Sequence, residues 1–190
     1  MIKNILLVGV GGQGTILTSK IISKGFVENG YDVKMAEIHG MSQRGGTVTT
    51  QIRYGEKVYS PVIEKGTADI IIAFEKTEAL RFLDYLKKDG ILVINDYEIK
   101  PFTVGIGMSE YPDNVLEKYK SSVDNVHFIN ANKIANDIGN SKVMNIVLLG
   151  KLVKMLQLDD IDWKKIISET VPKKAIELNI KAFEVGYESN

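Results

Sequence analysis

Apolar residues along this chain fall into two kinds of block. Compact runs, Ile5-Leu6-Leu7-Val8, Ile70-Ile71-Ile72-Ala73-Phe74, Ile91-Leu92-Val93-Ile94 and Val126-His127-Phe128-Ile129, carry almost no polar interruption. Strands covered on both faces have this pattern, so each run predicts a buried parallel strand. Between the runs lie segments of helical period. Thr15 to Asn29 is one, and another carries Leu80, Phe82, Leu83 and Leu86, with Thr77 as its predicted N-cap and Asp89-Gly90 as its stop. A short helix opened by Pro112 runs to Tyr119. The βαβ rhythm predicts an α/β fold: a mostly parallel, doubly wound, Rossmann-like sheet with helices on both faces.

Two regions depart from that rhythm. The strand Asp32 to Glu37 leads into a polar loop, and Thr47 to Tyr54 then alternates and is rich in β-branched residues. Gly55-Glu56-Lys57 reads as a turn into Val58-Tyr59-Ser60, which predicts an antiparallel hairpin insertion. Phe102 to Met108 reads as a weaker strand interrupted by Gly105 and Gly107.

From Lys142 onward the strand signal ends. Val143, Ile146, Val147, Leu149, Leu152, Val153 and Leu156 form a dense apolar face, Ile161-Asp162-Trp163 starts a second helix, and Pro172 to Gly186 is amphipathic. The expected organisation is a single domain over 1–140 as sheet core and 141–190 as a helical C-terminal extension, packed on the sheet or on a partner. A length of 190 residues with 44% apolar content suffices for one full core.

Composition narrows the chemistry. Lys plus Arg and Asp plus Glu are 24 each, so the net charge is zero and no basic stripe favours a nucleic-acid backbone. There is no cysteine, which removes thiol chemistry, disulfides and thiolate-held iron–sulfur clusters. The longest apolar run is far below the ~20 residues of a membrane span, and the start lacks signal-peptide architecture, so cytoplasmic residence is expected.

Gly9, Gly11 and Gly14, with Gly12 and Gln13 between them, satisfy G-x-G-x-x-G directly after the first strand. Such a turn lets a ligand approach the backbone and points helix N–H groups at an anion. Glu37 comes about 20 residues later, where a ribose-binding carboxylate sits in dinucleotide folds. NAD or FAD binding is one reading; a turn that only closes against the sheet is the other.

The most specific stretch is Glu37-Ile38-His39-Gly40-Met41-Ser42-Gln43-Arg44-Gly45-Gly46, at the carboxyl end of a strand, where such folds build sites. Arg44 can meet a phosphate or carboxylate bidentately while Gly45 and Gly46 keep the backbone open; an interface salt bridge is its alternative role. Ser42 and Gln43 add neutral donors. His39 can contact an anion or merely hydrogen-bond the loop, and without a nearby nucleophile, paired carboxylate or second histidine no catalytic residue is assigned. Asp69, Glu75 and Asp96 sit at strand ends without D-x-D or histidine spacing and read as caps or solvated charges, so no metal is assigned. His127 and Trp163 read as structural.

Together, the Gly9 to Gly14 turn and the Glu37 to Gly46 loop resemble the small subunit of indolepyruvate:ferredoxin oxidoreductase and, more loosely, the gamma subunit of pyruvate and other 2-oxoacid:ferredoxin oxidoreductases. The resemblance continues through Asp69 to Glu75, Asn145-Ile146-Val147-Leu148-Leu149-Gly150, and the tail Pro172 to Asn179 with Ala182-Phe183 and Gly186. It implies a subunit of an enzyme that oxidatively decarboxylates 2-oxoacids to acyl-coenzyme A and reduces ferredoxin. Thiamine diphosphate (TPP) and Fe–S clusters would sit on a large partner subunit, this chain would be inactive alone, and the glycine turn and Arg44 loop would lie near coenzyme A (CoA). A free-standing NAD- or FAD-dependent oxidoreductase and a non-catalytic scaffold module are the alternatives.

Overall fold

The computed structural model describes residues 2–40, 46–100, 102–108, 110–112 and 114–189. In chain order the elements are β1 (Lys3–Val10), α1 (Thr15–Glu28), β2 (Asp32–His39), β3 (Thr47–Gly55), β4 (Ala68–Ala73), α2 (Lys76–Phe82), β5 (Leu86–Asn95), α3 (Phe102–Gly105), α4 (Val115–Ser122), β6 (Val126–Ile129), α5 (Ala131–Asp137), α6 (Met144–Leu156), α7 (Trp163–Thr170) and α8 (Ile176–Glu188). The strands form one sheet in the order β2-β3-β1-β4-β5-β6. β1, β4, β5 and β6 are parallel neighbours, and β3 is antiparallel to both β1 and β2.

The predicted fold class holds, and the compact runs explain it. In β1, Ile5 and Leu7 face one side and Leu6 and Val8 the other, and all four are buried. Ile5 and Leu7 join Ile52, Ile70, Ile72 and Val93 beneath α1, α6 and α8, while Leu6 and Val8 join Ile71, Ala73, Leu92 and Ile94 beneath α2 and α4. A sheet covered on both faces has no polar side to alternate with.

The hairpin differs from expectation in its arms. β3 pairs with β2 rather than with Val58-Tyr59-Ser60, and it inserts between β2 and β1, so β2 becomes the sheet edge. Side chains hold the 58–62 segment instead: the Arg53 guanidinium donates to the carbonyls of Ser60 and Val62, and Asp32 accepts from the Val58 N–H. The weak strand predicted at Phe102 to Met108 is absent; Phe102–Gly105 is a single helical turn, and two residues beyond it Gly107 takes a φ of 73°.

The cap of α2 is Glu75, not Thr77, because its longer carboxylate reaches the N–H groups of both Thr77 and Glu78. That helix ends at Phe82, so Leu86 and the predicted stop Asp89-Gly90 lie inside β5. A side chain at Gly90 would strike Leu86 and the Ala68 carbonyl, beside a register shift between Ala68 and Ile70. α4 opens after Asn114 rather than at Pro112.

The helical end packs on the sheet. Met144 through Val153 of α6 are all buried, and α8 lies against it with backbone on backbone. A Cβ on Gly186 would come 2.0 Å from the Val147 carbonyl oxygen, and one on Gly150 would come 2.2 Å from that of Phe183.

Candidate functional site at the carboxyl ends of the strands

β1 feeds α1 on one face of the sheet and its neighbour β4 feeds α2 on the other. The crevice above their carboxyl ends is therefore the topological switch point, the usual place for a ligand in an open α/β sheet.

The glycine turn occupies that point. Gly12 and Gly14 have φ of 92° and 81°, a region open to glycine at little cost. At Gly14 a Cβ would also lie 2.7 Å from the Asn145 amide, whose Nδ2 donates to the Gly14 carbonyl at 3.3 Å. Gln13 is buried below the turn, where its Oε1 accepts from the Val10 N–H at 2.7 Å and its Nε2 donates to the Phe74 carbonyl at 2.9 Å. Asn95 donates to the same carbonyl at 3.0 Å and to Asn132 at 2.8 Å, and accepts from the Ala131 N–H. These side chains lace the ends of β1, β4 and β5 to the starts of α1 and α5.

Two features depart from dinucleotide geometry. The Gly11 N–H, at the motif's second glycine, donates to the Gly46 carbonyl at 3.0 Å, so it is engaged by the end of the 40–46 loop. Glu37 lies on edge strand β2 with β3 interposed, two strand spacings or about 10 Å across the sheet from β1. There it accepts a 3.4 Å hydrogen bond from Ser19.

The turn residues Gly9, Gly11, Gly12, Gln13 and Gly14 are thus brought together with Gly46. Glu37 and His39 are not against the turn: His39 is exposed at the end of β2, in register with Val48 and, beyond it, Gly9. Ser42, Gln43, Arg44 and Gly45 lie outside the described residues.

At the acidic start of α2, sequence reasoning read Glu75 as a cap or solvated charge, and it is the cap; Glu78 was passed over. Glu75 is buried and accepts from the Thr77 N–H and hydroxyl, the Glu78 N–H, the Ile99 N–H and the Tyr111 hydroxyl. It fastens Ile99 and Tyr111 to the switch point, and burial with the adjacent Glu75 carboxylate pushes the Tyr111 hydroxyl pKa up. Glu78 is also buried, and its Oε2 has no hydrogen-bond partner among the described residues. Burial raises its carboxyl above the ordinary range, against the opposing pull of Thr47 and Arg81, whose Nε lies 3.1 Å away. A second acidic residue three positions after a strand-end Glu was the available signal.

Beside this cluster a crevice of about 450 Å³ is lined by Lys76, Glu98, Lys100, Tyr111 and the start of α4. Lys76 pairs with Asp96 at 2.7 Å. Asp69 lies at the other end of β4, bonded to the Asn4 N–H and paired with Lys87. The three strand-end carboxylates therefore do not converge, and among the described residues no group of three or more His, Asp or Glu is placed to hold a metal ion. Nor is any described helix long and apolar enough to cross a membrane.

Residues 4–189 match the model of the family described as pyruvate ferredoxin/flavodoxin oxidoreductase. The chain is 39% identical to the indolepyruvate oxidoreductase subunit IorB of Pyrococcus horikoshii, over 96% of this chain and 93% of that one. It is 28% identical to the pyruvate synthase subunit PorC of Methanothermobacter marburgensis, over 95% and 93%. Among solved structures, pyruvate oxidoreductase subunit PORC of Thermotoga maritima superposes with a TM-score of 0.73 at 22% identity, covering 99% of this chain and 96% of that one.

Proposed function

The chain belongs to the pyruvate ferredoxin/flavodoxin oxidoreductase family, and we propose that it is the small subunit of a 2-oxoacid:ferredoxin oxidoreductase acting on indolepyruvate or a related aryl pyruvate. The identity of 39% to an indolepyruvate oxidoreductase subunit, against 28% to a pyruvate synthase subunit, carries the choice of acid. In this reading the complex converts the 2-oxoacid to an acyl-CoA and passes electrons to ferredoxin.

The donor set supports a division of labour. With no cysteine, the chain has no thiolate for an Fe–S cluster, so the clusters belong to the larger partner, to which the family resemblance assigns TPP as well. What this chain contributes is shape and charge at its switch point. The Gly9 to Gly14 turn, fixed from below by Gln13 and from above by Gly46, is a rigid wall against which the partner's site closes. Arg44, in the loop that ends at Gly46, is the proposed anion contact, with CoA as its ligand, and Ser42, Gln43 and His39 as auxiliary donors. A bidentate guanidinium would hold a CoA phosphate and exclude water without entering the redox steps.

Recombining the purified chain with its large subunit tests this. Dye or ferredoxin reduction is expected to require CoA and to favour indolepyruvate over pyruvate. The free-standing alternative expects tight binding of NAD, NADP or FAD to the lone chain in calorimetric titration. Such binding would overturn the proposal.

A further inference from the structure

At the far end of α6 from the glycine turn, the ends of α6 and α8 and the start of α7 diverge around a groove of about 490 Å³. Its floor is apolar, from Val153, Ile161, Trp163 and Phe183; its rim carries Asp159, Asp162, Glu184 and Glu188 against one cation, Lys164. Resting on the subunit reading above, we propose that this groove is a docking socket for a basic segment of the large subunit, entered by an arginine or lysine side chain.

Charge complementarity carries the argument. The whole chain is neutral, yet four carboxylates line this groove with Lys164, and counting Lys151 and Lys154, both held at 3.1 Å to the Ser189 carbonyl just past Glu188, three ammoniums stand against them. Lys164 pairs with Glu184 at 2.5 Å and also feels Asp162 and Glu188; this surround raises its pKa. Asp159 is held by the Tyr187 hydroxyl and Asp162 caps α7 through the Lys165 N–H, so both carboxylates are anchored on the rim before any partner arrives. One negative charge stays in excess on this anchored rim, and a single cation from the partner is what would balance it. The long methylene stem of arginine or lysine suits the apolar floor, and its charged head suits the rim.

The socket is separate from the crevice. Asn145 at the start of α6 contacts Gly14, whereas Val153 lines the groove, eight residues or about 12 Å along the helix. Docking here would leave the switch point free to complete the partner's site.

Affinity of the full chain for its large subunit, measured at low and high salt, tests the socket with Glu188→Lys and Lys164→Gln. Glu188 is exposed, so its reversal should leave the melting temperature unchanged. Expected are a loss of about tenfold or more for Glu188→Lys, with a weaker salt dependence, and a gain of a few-fold for Lys164→Gln. A control reversal, Glu56→Lys in the exposed turn after β3, should leave affinity unchanged. Affinities within twofold for all variants, or an equal loss for Glu56→Lys, would overturn the socket and leave the subunit reading standing. Failure of the unmodified chain to bind any large subunit would overturn both.

Discussion

Packing changes character along α6. Around Gly150 the helix meets α8 so closely that carbonyl oxygens of Val147 and Phe183 occupy the space a methyl group would need, and the contact is made by apolar side chains and backbone. Around Asn145, within the first turn, the same helix ends in a polar meshwork. Asn145 bonds Gly14, its own Oδ1 is buried without a hydrogen-bond partner among the described residues, and across the turn Glu78 also keeps an unpaired oxygen. Buried polar atoms left unpaired cost stability, so natural folds keep few of them. Apart from Thr50 Oγ1 in the middle of β3, such atoms among the described residues lie at the carboxyl ends of the strands, where this molecule gives up stability, and the α6–α8 contact is where it gains it.

That contrast is breakable by substitution. Gly186→Val should be the most damaging change, since no rotamer relieves a clash with backbone. A loss of about 3 kcal/mol or more is expected in denaturant unfolding, with the complex failing to assemble. Arg44→Ala should do the opposite, leaving unfolding unchanged. It should raise the CoA requirement of the reconstituted enzyme roughly 30-fold, the equivalent of about 2 kcal/mol for a charge-assisted bidentate contact.

Gln13→Ala falls between these. It strands the Val10 N–H, whereas Phe74 keeps its bond from Asn95, so about 1–2 kcal/mol of stability should be lost. Because the turn loses its support from below, the CoA requirement should rise as well.

The smallest effect is a pH slope. Glu78 has a raised carboxyl pKa, so its contribution is fully present below the ordinary glutamate range and is lost as pH rises through the raised value. Glu78→Gln should therefore gain about a degree or two of melting temperature near neutral pH and none in acid below the glutamate range. Asp69, at the other end of the sheet, behaves oppositely. Burial would raise it, but Lys87, the Asn4 N–H and Lys3 hold it below the usual carboxylate range. Its contribution is present above the ordinary aspartate range and fades as pH falls through the lowered value, so Asp69→Asn should cost stability at neutral pH but little in strong acid.

The same contrast governs what could be read from sequence. The compact runs around Leu6, Ile71 and Val93 have one physical solution, burial on both faces of a sheet, and their strands formed where expected. The α6 face was equally legible. At the rim, several partners are set by tertiary geometry. Thr47 to Tyr54 had clear β character, but nothing local says whether such a strand pairs with the segment after it or inserts beside β1. Thr77 is a good cap in isolation and lost to Glu75 because a buried strand end aims that longer side chain at the first turn. The motif Gly9, Gly11, Gly14 was visible, yet the bond from Gly11 to Gly46, which occupies the N–H of the motif's second glycine, joins residues 35 positions apart.

The central claim is that this polypeptide works only as part of an assembly. The direct measurement is indolepyruvate-dependent reduction of ferredoxin by the purified chain, alone and after addition of its large subunit. No turnover alone, and CoA-dependent turnover on recombination, is the predicted result. Sustained turnover by the chain purified free of any companion would contradict it.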